Sequence, residues 1–228
     1  VISYYDKSKG DLRMASSASE GGFTLTTLDT GTTGTKDVGR FSSLVLDPSR
    51  PTASKWGIAY EDTGGQRYRY AIQGTIRGGE QKNGYTFYDI DTTVTKLGGF
   101  TSLAFDGSNR PCVAFYDSLN SALKYATGNN DTLNGNIAGG IGFTSKFVAS
   151  KDLVGYYSNL FFDTTGKATI FYWDRTHNKA MRARLVSGAW SFTTLADGGR
   201  QIHVARFDTL VAYTNLNESI PELAVLFA

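Results

Sequence analysis

Apolar residues along the chain gather in runs of five to seven, each bounded by Gly, Asn, Asp or Ser. Runs that short, rich in β-branched and aromatic side chains, predict strands rather than helices. Four kinds of run recur in a fixed order. The first reads FSSLVLD from Phe41, FTSLAFD from Phe100, YSNLFFD from Tyr157 and, degraded, IHVARFD from Ile202. The second reads VISYYD from Val1, GIAYED from Gly57, CVAFYD from Cys112, TIFYWD from Thr169 and LVAYTN from Leu210. The third includes DLRMA, RYRYA, ALKYA, AMRAR and ELAVL; the fourth, GFTLTTL, GYTFYDI, GFTSKFV and AWSFTTL. The Asp that ends the second run stands at 6, 62, 117 and 174, steps of 56, 55 and 57. So constant a spacing indicates one turn geometry reused, with one residue inserted near His177.

The first two runs are almost continuously apolar and predict strands buried on both faces. The third alternates, as in Leu12 and Met14 against Arg13 and Ala15, which predicts one face in solvent. Burial falling from the first strand to the fourth is expected of a blade standing radially around an axis. Repeats of four antiparallel strands define the β-propeller. The expectation is a single all-β propeller domain over 1–228, with five blades preferred. A partial first blade covers 1–37, complete blades cover 38–96, 97–152 and 153–197, and a terminal blade covers 198–228. The alternative has four blades, with Ile202 to Asp208 closing the first and the rest an appendage. The chain opens on a second strand with Val1 and no Met, as expected of a processed or truncated chain. A first strand upstream, or one donated by a neighbouring chain, would complete that blade.

These units resemble the extracellular β-propeller repeats of bacteria and archaea that read roughly SLALD, ISYYD, LKYA and W-x-x-x-T-V. Here SSLVLD, VISYYD, ALKYA and AWSFTTL carry the likeness, and it covers nearly the whole chain. The resemblance implies a secreted or surface-displayed protein, lectin-like or adhesin-like; the Asp-box of sialidase-type propellers is absent. It places the chain outside the cell or on its surface, or in the periplasm, without insertion in a membrane.

Composition agrees with this and removes other classes. Gly at 26 of 228 residues supplies turns, and 13% aromatics fill interfaces between blades. Hydrophobic content of 40% excludes disorder, a single Cys excludes a disulfide scaffold, and no apolar run reaches the roughly 18 residues of a membrane helix. A net charge of +2 gives nucleic acid no electrostatic footing.

Candidate chemistry is sparse. No nucleophile elbow, zinc-protease motif, phosphate-cradling Gly loop or paired Cys occurs. No catalytic residue, metal or cofactor is assigned, and Cys112 reads as a small buried hydrophobe. Acids that recur in every unit (Asp6, Asp62, Asp117, Asp174 and Asp47, Asp106, Asp163, Asp208) serve the unit, starting turns by bonding the backbone two residues on. Glu61 breaks the pattern where other units carry an aromatic, and reads as a rim charge or local salt bridge. A glycosidase, which needs two acids, stays open as the only enzyme class. The leading ligand site is the column of aromatics preceding the turn Asp, Tyr5, Tyr116 and Trp173. Its richest hairpin holds Trp173, Asp174, Arg175 and His177, a flat apolar face with polar groups beside it, suited to a glycan or other extracellular ligand.

His203 and Arg206 are channel candidates for an anion, or marks of a divergent closing blade. The bases Arg13, Arg69, Lys124 and Arg182 read as spread around the solvent face of successive third strands, where charge discourages edge pairing. The loop from Gly128 to Asn136 reads as a flexible polar insertion. Asn130 and Asn217 fit the N-glycosylation pattern. The functional expectation is a non-enzymatic binding or adhesion module, the alternatives being a structural subunit completed by a neighbour's strand, or the glycosidase.

Overall fold

The computed structural model describes residues 1–17, 22–31, 37–48, 55–76, 78–94, 96–129 and 141–197, and the backbone alone of 205–207, 210–215 and 222–227. Among the described residues every element is a strand, and the strands form antiparallel sheets in chain order. The first sheet holds β1 (Ile2–Asp6), β2 (Asp11–Ser16) and β3 (Thr24–Asp29). The second orders β4 (Val38–Leu46), β5 (Trp56–Asp62), β6 (Arg67–Gln73), β8 (Tyr85–Asp91) and the short β7 (Glu80–Lys82). The third holds β9 (Ser102–Phe105), β10 (Pro111–Asp117), β11 (Ala122–Gly128) and β12 (Phe143–Ala149). The fourth holds β13 (Val154–Phe162), β14 (Ala168–Asp174), β15 (Lys179–Val186) and β16 (Ala189–Asp197). A fifth joins β17 (Ala205–Phe207), β18 (Leu210–Asn215) and β19 (Glu222–Phe227). The all-β architecture of antiparallel blades expected from the repeat is therefore present. Strand β17 pairs with β18 in its own sheet, not with β1.

The acids that end strands act on the backbone. Asp117 Oδ1 accepts from the amides of Leu119 and Asn120 at 3.1 and 3.2 Å, and Asp62 Oδ1 accepts from Gly65 at 2.7 Å. Asp106 and Asp163 do the same after the first strands of their sheets, each accepting from the amide two residues on. One acid per turn satisfies amides that no sheet partner reaches.

In the second, third and fourth sheets burial is deepest in the second strand, not the first. Strand β10 is buried throughout, whereas β4 and β13 are exposed in places. The first strands pack on the strands that lead the neighbouring sheets, β4 on β1 and β9, and β9 on β13. Those inner strands are stitched together by small hydroxyls. Thr101 Oγ1 donates to the Phe41 carbonyl, and Ser158 Oγ donates to the Phe100 carbonyl at 2.5 Å. The Leu103 amide donates to Ser43 Oγ at 3.0 Å and the Leu160 amide to Ser102 Oγ at 2.9 Å. The recurrence of Ser and Thr at these two positions of the repeat is thus an interlock between sheets.

The basic column is placed differently from the sequence expectation. Arg69 and Lys124 are 3% and 5% exposed. Each reaches the acid ending the fourth strand of the preceding sheet: Arg69 pairs with Asp29 at 2.9 Å, and Lys124 pairs with Asp91. Asp91 also accepts from Ser145 at 2.6 Å and from Thr93. Burial would raise the Asp91 carboxyl, but hydrogen bonds from Lys124, Ser145 and Thr93 outweigh it and hold the group below its ordinary range. Glu80 and Asp89 stand 2.6 and 3.5 Å from the Arg69 guanidinium as well. Arg69 and Lys124 therefore seal sheet to sheet, and there the alternation read as a solvent face is an interface, whereas Arg13 pairs with Asp6 of its own sheet.

Candidate functional site

Where the first strands begin, each crosses close over the preceding sheet. Gly39 and Gly155 have φ of +100° and +106°. A Cβ on either would stand 2.6 Å from Leu12 Cα or 2.8 Å from Leu123 Cβ, too close to be tolerated. Two residues after these glycines the register slips, and an aromatic takes up left-handed backbone: Phe41 at φ 50° and Tyr157 at φ 53°. Phe100, at the same repeat position, has φ 57°. Left-handed backbone costs a bulky residue on the order of 1–3 kcal/mol, and such strain gathers at functional sites. The interlock described above compensates here, because the Phe41 and Phe100 carbonyls accept the Thr101 and Ser158 hydroxyls.

The kink throws the three rings together at one end of the first strands, a face called axial below. Phe41 and Phe100 centroids are 5.1 Å apart, and Phe100 and Tyr157 are 4.7 Å apart. Phe41 and Tyr157 remain 38% and 43% exposed. Tyr156 packs 5.5 Å from Phe100, and the Arg175 guanidinium lies over the Tyr156 ring at 5.5 Å. Beneath them Tyr68 Oη accepts from the Gly98 and Gly99 amides at 3.0 and 2.9 Å and donates to the Tyr116 carbonyl at 2.6 Å, fixing the approach to Phe100. The result is a contiguous aromatic face with a cation at its rim.

The residues singled out from the sequence divide between this face and its supports. Tyr116 is 3% exposed, a buried support rather than a ligand contact; it lies under Tyr156, with ring centroids 4.5 Å and hydroxyls 3.2 Å apart. Burial pushes its hydroxyl up to about 12. Arg175 is exposed and joins the rim, while Trp173 pairs with Tyr156 in the sheet and is partly buried. Asp174 and His177 hold their own turn: the carboxylate accepts from the His177 amide at 3.0 Å and meets its Nδ1 at 2.8 Å. Tyr5 sits apart at the first seam, bonded to Asp37 at 2.7 Å beneath the Arg40 guanidinium. His203, Asn130 and Asn217 lie outside the described residues, and Arg206 is placed only as backbone.

Glu61 is neither a rim charge nor one half of a salt bridge. It is 5% exposed, Oε1 accepts from Thr63 at 2.9 Å, and Oε2 has no hydrogen-bond partner among the described residues. Burial raises its carboxyl above the ordinary range, with Thr63 and Arg40 opposing only in part. Burial likewise pushes the Cys112 thiol up to about 11, leaving it inert at neutral pH.

Phe41, Phe100, Tyr156 and Tyr157 were not singled out by sequence reading as site residues. Their signal was visible as an aromatic opening each first strand just after Gly, but the backbone reversal that exposes it was not. A scan against models of protein families finds no match for this chain, and a search of curated proteins finds none either.

Proposed function

We propose that the chain is a non-enzymatic binding module of an extracellular or surface-displayed protein, and that its axial aromatic face contacts a glycan. The observation that carries this is the triple use of left-handed backbone to hold Phe41 and Tyr157 against Phe100 while both outer residues stay exposed. Rings serving only as packing would be cheaper in ordinary strand geometry. A flat apolar patch suits the C–H face of a pyranose, and the Arg175 guanidinium at its edge can donate to hydroxyls. A binding contact can recur in every unit, whereas a catalytic group is needed once. The test is a glycan array of the wild type beside Tyr157→Ala. Signals that fall at least about tenfold in the variant support the reading, and signals equal in both overturn it.

A second reading, assembly with neighbouring subunits, draws on the first sheet. Ile2, Phe23 and Leu25 are each more than half exposed there. Light scattering decides between them: a stable monomer across the micromolar range contradicts assembly through this sheet.

A further inference from the structure

The third and fourth sheets part at the end of their strands opposite the axial aromatic face. The cleft between them has a volume of about 610 Å³, within the range of roughly 300–1,000 Å³ typical of ligand sites. A second hollow of about 460 Å³ continues it, sharing Arg110, Tyr125 and Thr127 as walls. We propose that this cleft is a separate binding site for a carboxylated oligosaccharide, a chain of uronic or similar acidic sugars.

Three features converge on that class. Trp190 lines the cleft, partly exposed, and is held by an edge contact with Tyr125 at 5.4 Å and 77°. It offers a fixed flat wall for a sugar ring. The hydroxyls of Thr127 and Thr144 stand on adjacent strands of the same wall, the polar groups a sugar's hydroxyls require. The charge is one-sided. Asp106 is matched by Arg110 at 2.7 Å, which leaves Lys146 and Lys167 without an acid among the described residues. A neutral sugar would use the wall and waste the lysines; an acidic one uses both, and each ammonium–carboxylate hydrogen bond is of the stronger kind.

At its other end, beside Ala149 and a separate cavity of about 440 Å³, the same seam lacks the ion pair that closes its predecessors. Asp29 and Asp91 close the two preceding seams on Arg69 and Lys124, but the equivalent residue of the third sheet is Ala149. Arg182, which would have met it, reaches only Thr193 at 3.2 Å and keeps a buried Nε without a partner.

The chain has three tryptophans, Trp56, Trp173 and Trp190, so the indole N–H signals of the labelled protein report on the two proposed sites separately. The probe is tetragalacturonate, with its tetramethyl ester and an acidic tetrapeptide as controls. The inference expects tetragalacturonate to move the Trp190 signal, the ester to bind at least about tenfold more weakly, and Lys146→Glu, an exposed position, to weaken tetragalacturonate by about the same factor. Trp190→Phe keeps an aromatic wall and should bind with reduced affinity while remaining folded. An unmoved Trp190 signal, an ester bound equally well, or a peptide bound as tightly as the sugar would each overturn it. Movement of Trp173 alone overturns this site but leaves the axial reading standing.

Discussion

The seam between the second and third sheets and the seam between the third and fourth are built from the same repeat positions and the same hydroxyl interlock, yet only the first is closed by a buried ion pair. At the first, Lys124 is buried on Asp91, and Tyr68 Oη gathers three backbone groups of the third sheet. At the second, Ala149 replaces the acid, Leu123 replaces the tyrosine, and cavities of about 610, 460 and 440 Å³ lie along it. Where polar side chains pair across a seam they fill it; where they are lost, at Ala149, a cavity of about 440 Å³ remains.

The largest expected break in this comparison is Asp91→Ala. It strands the buried Lys124 ammonium, and urea unfolding should show a loss of about 3–5 kcal/mol. Asp29→Ala should cost less, because Arg69 keeps Glu80 and Asp89. The Asp91 carboxyl is held below its ordinary value, so its contribution is complete above the unfolded value near about 3.9 and is lost as pH falls through the folded one. The Asp91→Asn protein should therefore show a flatter acid limb in stability against pH than the wild type.

Tyr68→Phe comes next, at about 2 kcal/mol, because it leaves the Gly98 and Gly99 amides and the Tyr116 carbonyl short of a buried partner. Hydrogen exchange should quicken at those glycines and remain unchanged at Gly155, whose seam never had the hydroxyl. The converse is Ala149→Asp, which offers the missing partner to Arg182. A gain of about 1 kcal/mol is expected, and a gain absent at every pH would show that the acid column does not set how tightly a seam closes.

The smallest effect contrasts two carboxylates. Glu61 is raised where Asp91 is lowered, so its ionisation opposes folding increasingly as pH rises above the unfolded value near about 4.3. Glu61→Gln should stabilise by at most about 1 kcal/mol at pH 7, with the gain vanishing below pH 4. A loss at pH 7 would mean that the charge is wanted in the folded protein.

Strand order, turn acids and the division into antiparallel sheets were legible because each depends on residues close in sequence. The burial of Arg69 and Lys124 was not. Their partners lie 40 and 33 residues earlier, on another sheet, and alternation looks the same whether the second face meets water or a neighbour. The axial site was half legible. Arg175 was singled out at the right turn, and Tyr116 was read as a contact although it is a support. Phe41, Phe100 and Tyr157 were seen only as starts of strands, since nothing in their letters announces a left-handed backbone. The missing ion pair had no local signal at all; it is visible only as Ala149 where the two earlier sheets carry Asp29 and Asp91.

The most direct test of the central claim is one glycan array read with three proteins: wild type, Tyr157→Ala and Lys146→Glu. The account predicts that neutral glycans retained by the wild type are lost with Tyr157→Ala and kept by Lys146→Glu, and that acidic ones show the reverse dependence. Wild-type binding that neither substitution disturbs would contradict it.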